Sequence, residues 1–287
     1  MSENILTKDS YCLSIPDRLD CVPRRAGQTG GRYRNHPGWT ELVESTEPSA
    51  ADLTYLGTPT LRSVHSANAY KITHRSSTST FAFLSVKSGR TQTGESHYEL
   101  AWAQNLEVDP TYVDYQTHGI EVNYRNGAAA ARYTPDAVAL TADVAIECHE
   151  VKATRSYFQV GSYAKLMDKV DLDLSSYGIT LRRVTGADIE ANRRRHYNIS
   201  TAFQERFTYF GPRHEDGVRN LLERSTEQAF ARVLEEIDPD VRKARPILNS
   251  MLCRRKLVYD LNQRITGDTI VRGLGPVPSF LPDIRAF

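Results

Sequence analysis

The sequence predicts an α/β domain followed by a mostly helical module. Between residues 95 and 186, short segments that alternate polar and apolar residues are enclosed by segments of helical period. From residue 187 onward the period is helical almost throughout, and it closes on a short strand after a Thr-Gly-Asp turn. We therefore expect an N-terminal extension (1–60), an α/β domain (61–186), a helical, winged-helix-like domain (187–272) and a C-terminal tail (273–287).

The first part of the chain contains one clear helix. Residues 1–60 are rich in glycine, proline, arginine and serine and show no sustained period, which predicts loops and short elements. Residues 81–86 indicate one short strand. Residues 95–107 carry apolar side chains at helical spacing, and they predict an amphipathic helix that ends before Asp109-Pro110.

The following segments alternate in the manner of strands. Strands are predicted at 112–116, 120–124, 131–140 and 144–152, the third interrupted by a Pro-Asp pair. A helix at 157–174 and a strand at 179–184 complete the α/β domain. In the second half, helices are predicted at 188–207, at 217–236, from about 240, and at 252–265, before a strand at 269–272.

The charge and the cysteines narrow the class of protein. The formal net charge is only +1 and the sequence pI is about 7.7. This argues against a protein that coats nucleic acid, which is usually strongly basic, but it allows a DNA enzyme with acidic metal ligands. No run approaches the roughly 18 to 20 apolar residues that span a bilayer. The four cysteines lack metal-ligand spacing, which indicates reduced thiols in a cytoplasmic protein.

Three acids and a lysine are placed where they can meet around a cation. Glu150 and Lys152 point to the same side of a predicted strand, because side chains alternate between its faces. Pairing of the preceding strand can bring Asp136 near Glu150, and Glu99 on the upstream helix can supply a third carboxylate. Mg2+ favours such oxygen ligands and assists phosphodiester hydrolysis by lowering the pKa of a bound water. The lysine would stabilise the charge that develops on the phosphate.

Each part of this pattern also has a structural interpretation. A Pro-Asp pair is a common turn signal, and Glu-x-Lys on a strand is commonly a cross-strand ion pair. The order and separation of the parts, together with the preceding helix, favour a metal site over these interpretations. Glu95 lies one turn before Glu99 on the same helix face and is an alternative ligand.

Other polar residues near the pattern are assigned no catalytic role. Glu147 and His149 have the opposite strand parity to Glu150, so we expect them to face away from it. His118 is interpreted as structural or exposed rather than as a base.

Several short motifs in this region occur together in one known family. In chain order they are Ser85–Arg90, Glu95–Glu99, Leu106–Pro110, Tyr133–Asp136, Glu150–Lys152 and Val184–Asp188. Over residues 60–190, the run resembles the PD-(D/E)xK nuclease superfamily and, within it, the TnsA endonuclease of heteromeric DNA transposases. One departure is that Gln116 is followed by Thr117-His118 where the family has proline, so we assign Gln116 no role.

The resemblance implies a fold and a set of site residues. The fold would be a restriction-endonuclease-like mixed sheet flanked by helices. By the same resemblance, Glu99, Asp136 and Glu150 are the metal-binding catalytic acids, and Lys152 is the catalytic lysine. The cofactor would be Mg2+, with Mn2+ as a substitute.

The resemblance also implies a function and partners. The protein would cleave the 5′ strand at transposon ends, in double-stranded DNA, while a DDE-type transposase cuts and joins the 3′ strand. An AAA+ regulator would be a further partner, and the protein would act on the nucleoid in the cytoplasm. Two alternatives stay open: a restriction-like or phage repair endonuclease unrelated to transposition, and an inactive nuclease-fold scaffold that binds DNA.

A basic cluster in the second half is a candidate for DNA contact. Arg254, Arg255 and Lys256 precede an apolar stripe in the helix predicted at 252–265. In a winged-helix-like module such residues can contact DNA phosphates, which positions the protein without reading sequence. A contact with partner proteins, which the resemblance implies, and a purely supporting role for this region are the alternatives.

Overall fold

The computed structural model describes residues 59–63, 79–126 and 129–275. The predictions for the N-terminal extension and for most of the C-terminal tail lie outside these residues. The described part is a mixed α/β structure with several sheets, as the sequence predicts. No helix in this part is long and apolar enough to cross a membrane.

Strands dominate the first half of the described chain and helices the second. The strands are β1 (Pro59–Ser63), β2 (Phe81–Leu84), β3 (Thr91–Gly94), β4 (Tyr112–Thr117), β5 (Ile120–Asn126), β6 (Ala129–Tyr133), β7 (Ala137–Thr141), β8 (Ile146–Lys152), β9 (Ile179–Thr185), β10 (Glu227–Ala229), β11 (Leu257–Tyr259) and β12 (Ile270–Gly273). The helices are α1 (His97–Val108), α2 (Gly161–Ser176), α3 (Gly186–Glu190), α4 (Arg193–Glu205), α5 (Pro212–Arg224), α6 (Phe230–Ile237) and α7 (Val241–Cys253). A short 3-10 helix, Arg155–Gln159, precedes α2.

The central sheet has the strand order β4-β7-β8-β9. Its first three strands are antiparallel neighbours, whereas β8 and β9 are parallel and are joined through α2, as a parallel connection requires. Leu166 and Met167 of α2 are buried on one face of the sheet. Leu106 of α1 packs with Tyr115 on the other face. Each such buried side chain contributes about 1.5–3 kcal/mol relative to an exposed one, so the two helices hold the sheet between them.

The chain leaves the central sheet after β4 and returns to it at β7. In between, β5 pairs with both β1 and β6 in a second, antiparallel sheet. The exit is at His118-Gly119 and the return is at Thr134–Asp136. The interruption predicted at Pro135-Asp136 within the strand region 131–140 is confirmed, and it separates two strands. Pro135 has no N–H for a strand ladder, and β6 and β7 on either side of it belong to different sheets.

The helical region has its own core, which also receives residues from the first half. Helices α4 to α7 bury a hydrophobic cluster that includes Val108 at the end of α1, and Phe83 of β2 packs against it. A small antiparallel sheet of order β10-β12-β11 completes the region. The helix predicted at 217–236 is interrupted, because α5 ends at Arg224 and β10 precedes α6. The domain boundary at residue 186 stays a prediction.

The helix predicted at 252–265 is also wrong, because α7 ends at Cys253 and β11 follows. Arg255 adopts a left-handed backbone conformation, with φ 56°. Its N–H and that of Lys256 donate to carbonyls of the last helical turn, each at 2.9 Å. This is a Schellman cap, which usually carries glycine at the left-handed position. An arginine there leaves no sign of the helix end in the sequence.

Candidate functional site

His118 and Asp136 lie side by side because the chain crosses between the two sheets at both residues. The His118 N–H donates to the Asp136 carbonyl oxygen at 3.1 Å, which ties the exit to the return. Gly119 is needed at the exit, since a Cβ atom there would lie 2.5 Å from Val138 Cγ1. His118 takes a left-handed conformation (φ 53°) and is only 2% exposed. The crossing therefore buries an imidazole next to a carboxylate.

The N-terminus of α1 brings Glu99 to the same place. The Ser96 Oγ caps the helix by accepting from the Glu99 N–H, and it donates to Glu99 Oε1, both at 3.1 Å. The Glu95 N–H donates to Glu99 Oε2 at 3.0 Å. Gly94 leaves room for this carboxylate, because a Cβ atom there would lie 2.7 Å from Glu99 Oε2. The helix start thus holds Glu99 in a defined position, where the helix dipole favours negative charge.

Ligand atoms of Glu99, His118 and Asp136 all lie within 4.8 Å of one another. Two carboxylates and an imidazole form a donor set that divalent cations accept. Among the described residues, Glu99 rather than Glu95 belongs to this group. The sequence analysis did not place His118 in this group. No local pattern shows that the chain changes sheets there, and that change brings His118 to Asp136.

Lys152 lies between two buried carboxylates at the end of β8. Its Nζ is 3.6 Å from Asp136 Oδ2 and contacts Glu150 Oε1. The Val151 N–H donates to Asp136 Oδ2 at 2.7 Å and anchors that carboxylate to the backbone of β8. The Lys152 side chain is 12% exposed and the two acids are 2% and 0% exposed. Solvent therefore screens these charges only weakly.

Glu150 is held by tyrosine hydroxyls as well as by Lys152. Tyr133 donates to Oε2 at 2.7 Å and Tyr163 donates to Oε1 at 2.8 Å. Burial and the neighbouring Glu150 charge raise the pKa of Tyr133 well above its usual value, so its hydroxyl stays a donor. Glu150 lies beside Lys152, and its carboxylate is not part of the group formed by Glu99, His118 and Asp136. Its role as a metal ligand stays a prediction.

The opposite side of β8 carries a separate network. His149 Nε2 lies 3.1 Å from Glu147 Oε2, and Arg182 Nη1 donates to the same oxygen at 3.1 Å. These contacts, His149 first, lower the pKa of Glu147 to about 2, whereas burial lowers the pKa of His149. The His149 ring also packs edge-on against Trp102 of α1. The prediction that Glu147 and His149 face away from Glu150 is confirmed.

The residues of the basic cluster all have partners within the chain. Arg254 donates to the main-chain carbonyl of Arg206 at 2.5 Å, and Arg255 to that of Pro110 at 2.7 Å. Lys256 donates to a carboxylate of α5 at 2.6 Å and lies at the surface. Arg255 thereby links the helical region to the loop after α1. Contact of this cluster with DNA stays a prediction.

No protein-family model matches the chain, and no curated protein matches it either. The resemblance to TnsA endonucleases therefore rests on the sequence motifs between Ser85 and Asp188. The geometry itself offers two chemical capabilities. Glu99, His118 and Asp136 can hold a divalent cation, and the Lys152 ammonium can stabilise negative charge beside it.

Proposed function

We propose that this protein is a metal-dependent DNA endonuclease of the TnsA type. The observation that carries the proposal is the convergence of Glu99, Asp136 and Lys152, with His118, where the chain crosses between sheets. Three of these residues are the ones that the motif resemblance assigns to catalysis. Carboxylates that can bind a cation, with an ammonium 3.6 Å from one of them, suit hydrolysis of a phosphodiester.

Each residue of the site has a distinct task in this proposal. Glu99 and Asp136 would hold Mg2+, or Mn2+ in its place. The bound cation would lower the pKa of a water and neutralise charge on the scissile phosphate. Lys152 would stabilise the negative charge that builds on the phosphate oxygens. Glu150, besides its assignment as a ligand by resemblance, orients Lys152, because Tyr133 and Tyr163 fix its carboxylate.

The architecture supports the same assignment. A mixed sheet with helices on both faces agrees with a restriction-endonuclease-like domain. The order α5, β10, α6, α7, β11, β12, with β12 central in the small sheet, agrees with a winged-helix module. We propose that the protein cuts the 5′ strand at transposon ends while a DDE-type transposase acts on the 3′ strand, under an AAA+ regulator.

The test is nicking of a supercoiled plasmid with Mg2+ or Mn2+, with and without a DDE-type transposase. Asp136→Asn should abolish nicking. Its matched control is Asp173→Asn, because Asp173 is also a buried acid that accepts from a tyrosine (Tyr124 Oη, 2.9 Å) and a lysine, but outside the site. The control should keep nicking once activity is corrected for the folded fraction.

The possible results separate the competing functions. Nicking that survives Asp136→Asn, or that Asp173→Asn also abolishes at equal folded fraction, rejects the proposed site. Nicking that is independent of any transposase favours the restriction-like or repair endonuclease. DNA binding without nicking under every condition favours the inactive scaffold.

A further inference from the structure

We infer that His118 is a metal ligand and that the site selects a first-row transition ion such as Mn2+ over Mg2+. This inference rests on the proposed function, since it concerns the cation of the same site. Mg2+ takes oxygen ligands and keeps several waters, whereas first-row transition ions, of which Mn2+ binds most weakly, also accept imidazole nitrogen. An imidazole in the first coordination shell would therefore shift the preference away from Mg2+.

The distances and the burial fit this role. Around one ion with bonds of about 2.1 Å, neighbouring ligands lie about 3 Å apart and opposite ligands about 4.2 Å apart. The ligand atoms of His118, Asp136 and Glu99 all lie within 4.8 Å of one another, so inward shifts of less than about 1 Å would let all three bind it. His118 and Asp136 are 2% and 3% exposed, whereas Glu99 is only partly buried.

The two buried ligands are positioned by backbone rather than by flexible side chains alone. The His118 N–H bonds to the Asp136 carbonyl at 3.1 Å, and the Asp136 carboxylate accepts from the Val151 N–H at 2.7 Å. Such supporting contacts orient metal ligands and strengthen binding. A histidine that merely fills a core would be placed among apolar side chains, whereas this ring lies with two carboxylates.

The direct measurement is Mn2+ binding by the full chain without DNA, monitored by electron paramagnetic resonance. Pulsed experiments detect an imidazole nitrogen bound to Mn2+. The variant is His118→Asn, because asparagine tolerates the left-handed conformation (φ 53°) and offers only an amide oxygen. The matched control is His196→Asn on α4, which replaces an exposed histidine outside the site.

We expect the wild type and His196→Asn to show nitrogen coupling. His118→Asn should lose it and bind Mn2+ roughly tenfold more weakly. Its ratio of Mn2+- to Mg2+-supported nicking should fall as well. His118→Gly gives a second readout, since glycine also suits this φ, and added imidazole should restore both nitrogen coupling and affinity.

The failure of this inference differs from failure of the proposed function. Mn2+ binding that depends on Asp136 but shows no nitrogen coupling overturns the ligand role and leaves the endonuclease intact. A shifted pH profile of nicking in His118→Asn with unchanged Mn2+ affinity also overturns it, because His118 would then act as a base. Nitrogen-coupled Mn2+ without any nicking retains the ligand and rejects the endonuclease. Absence of Mn2+ binding by the wild type rejects this inference, whereas absence of nicking with both Mg2+ and Mn2+ rejects the endonuclease.

Discussion

Lys152→Met removes the ammonium between two buried carboxylates and keeps a side chain of similar length. With Nζ 3.6 Å from Asp136 Oδ2, the attraction is about 5 kcal/mol at an effective dielectric constant of about 20. The lysine also loses hydration in the fold, which offsets part of this attraction. We therefore expect the free energy of unfolding to fall by about 3 kcal/mol, at the lower end for breaking a buried ion pair.

Urea unfolding, monitored by circular dichroism, measures this loss, and in a thermal melt the Tm should fall by about 6–12 °C. Nicking should be abolished. Lys169→Met is the matched control, since Lys169 contacts the buried Asp173, which accepts from Tyr124 in the same lysine–acid–tyrosine arrangement outside the site. The Lys169→Met variant should be less stable than the wild type but should retain nicking activity.

Two results would refute this reasoning. If Lys152→Met unfolds at the same urea concentration as the wild type, the ammonium does not hold the carboxylates together. If Lys169→Met loses nicking as completely as Lys152→Met at equal folded fraction, the loss is not specific to the ammonium of the site.

Three further perturbations test separate parts of the structure. Gly94→Ala crowds Glu99 Oε2 and should weaken Mn2+ binding roughly tenfold. Gly161→Ala is the control, because its added Cβ atom meets open space and should leave Mn2+ binding unchanged. Equal Mn2+ titration curves for the two variants would refute this prediction. The pKa of Glu147 is about 2 rather than 4.5, so its stabilisation is full above pH 4.5 and is lost as pH falls towards 2. Glu147→Gln should flatten acid unfolding in that window, and an unchanged profile would contradict the assignment. If Lys256 contacts a DNA phosphate, Lys256→Ala should lower the salt dependence of DNA binding by about one ion, and an unaltered slope would exclude the contact.

Local periodicity was sufficient for much of the α/β region. The helix predicted at 95–107 is α1, and the strand predicted at 144–152 is β8 with a shorter start. Strand alternation also placed Glu150 and Lys152 on one side of β8 and His149 on the other. These features depend on neighbours one to four residues away, so the sequence displays them directly.

The ends of the helices are harder to predict from the sequence, because residues that rarely terminate helices form them. The cap of α7 uses Arg255 in a left-handed conformation where glycine is common, so the sequence predicts a further helix at 252–265 where the structure has the end of α7 and β11. The break before α6 is a strand, Glu227–Ala229, that exists only because β12 pairs with it. A pairing partner more than forty residues away leaves no local signal.

The acids and the lysine could be chosen as candidates from the order of residues along the chain, because motif spacing and strand parity are properties of sequence. The surroundings of those residues could not. His118 reaches Asp136 only through two crossings between sheets, and Tyr163 reaches Glu150 only because α2 packs on that face. Such contacts join residues that are distant in sequence, and only the packed chain brings them together.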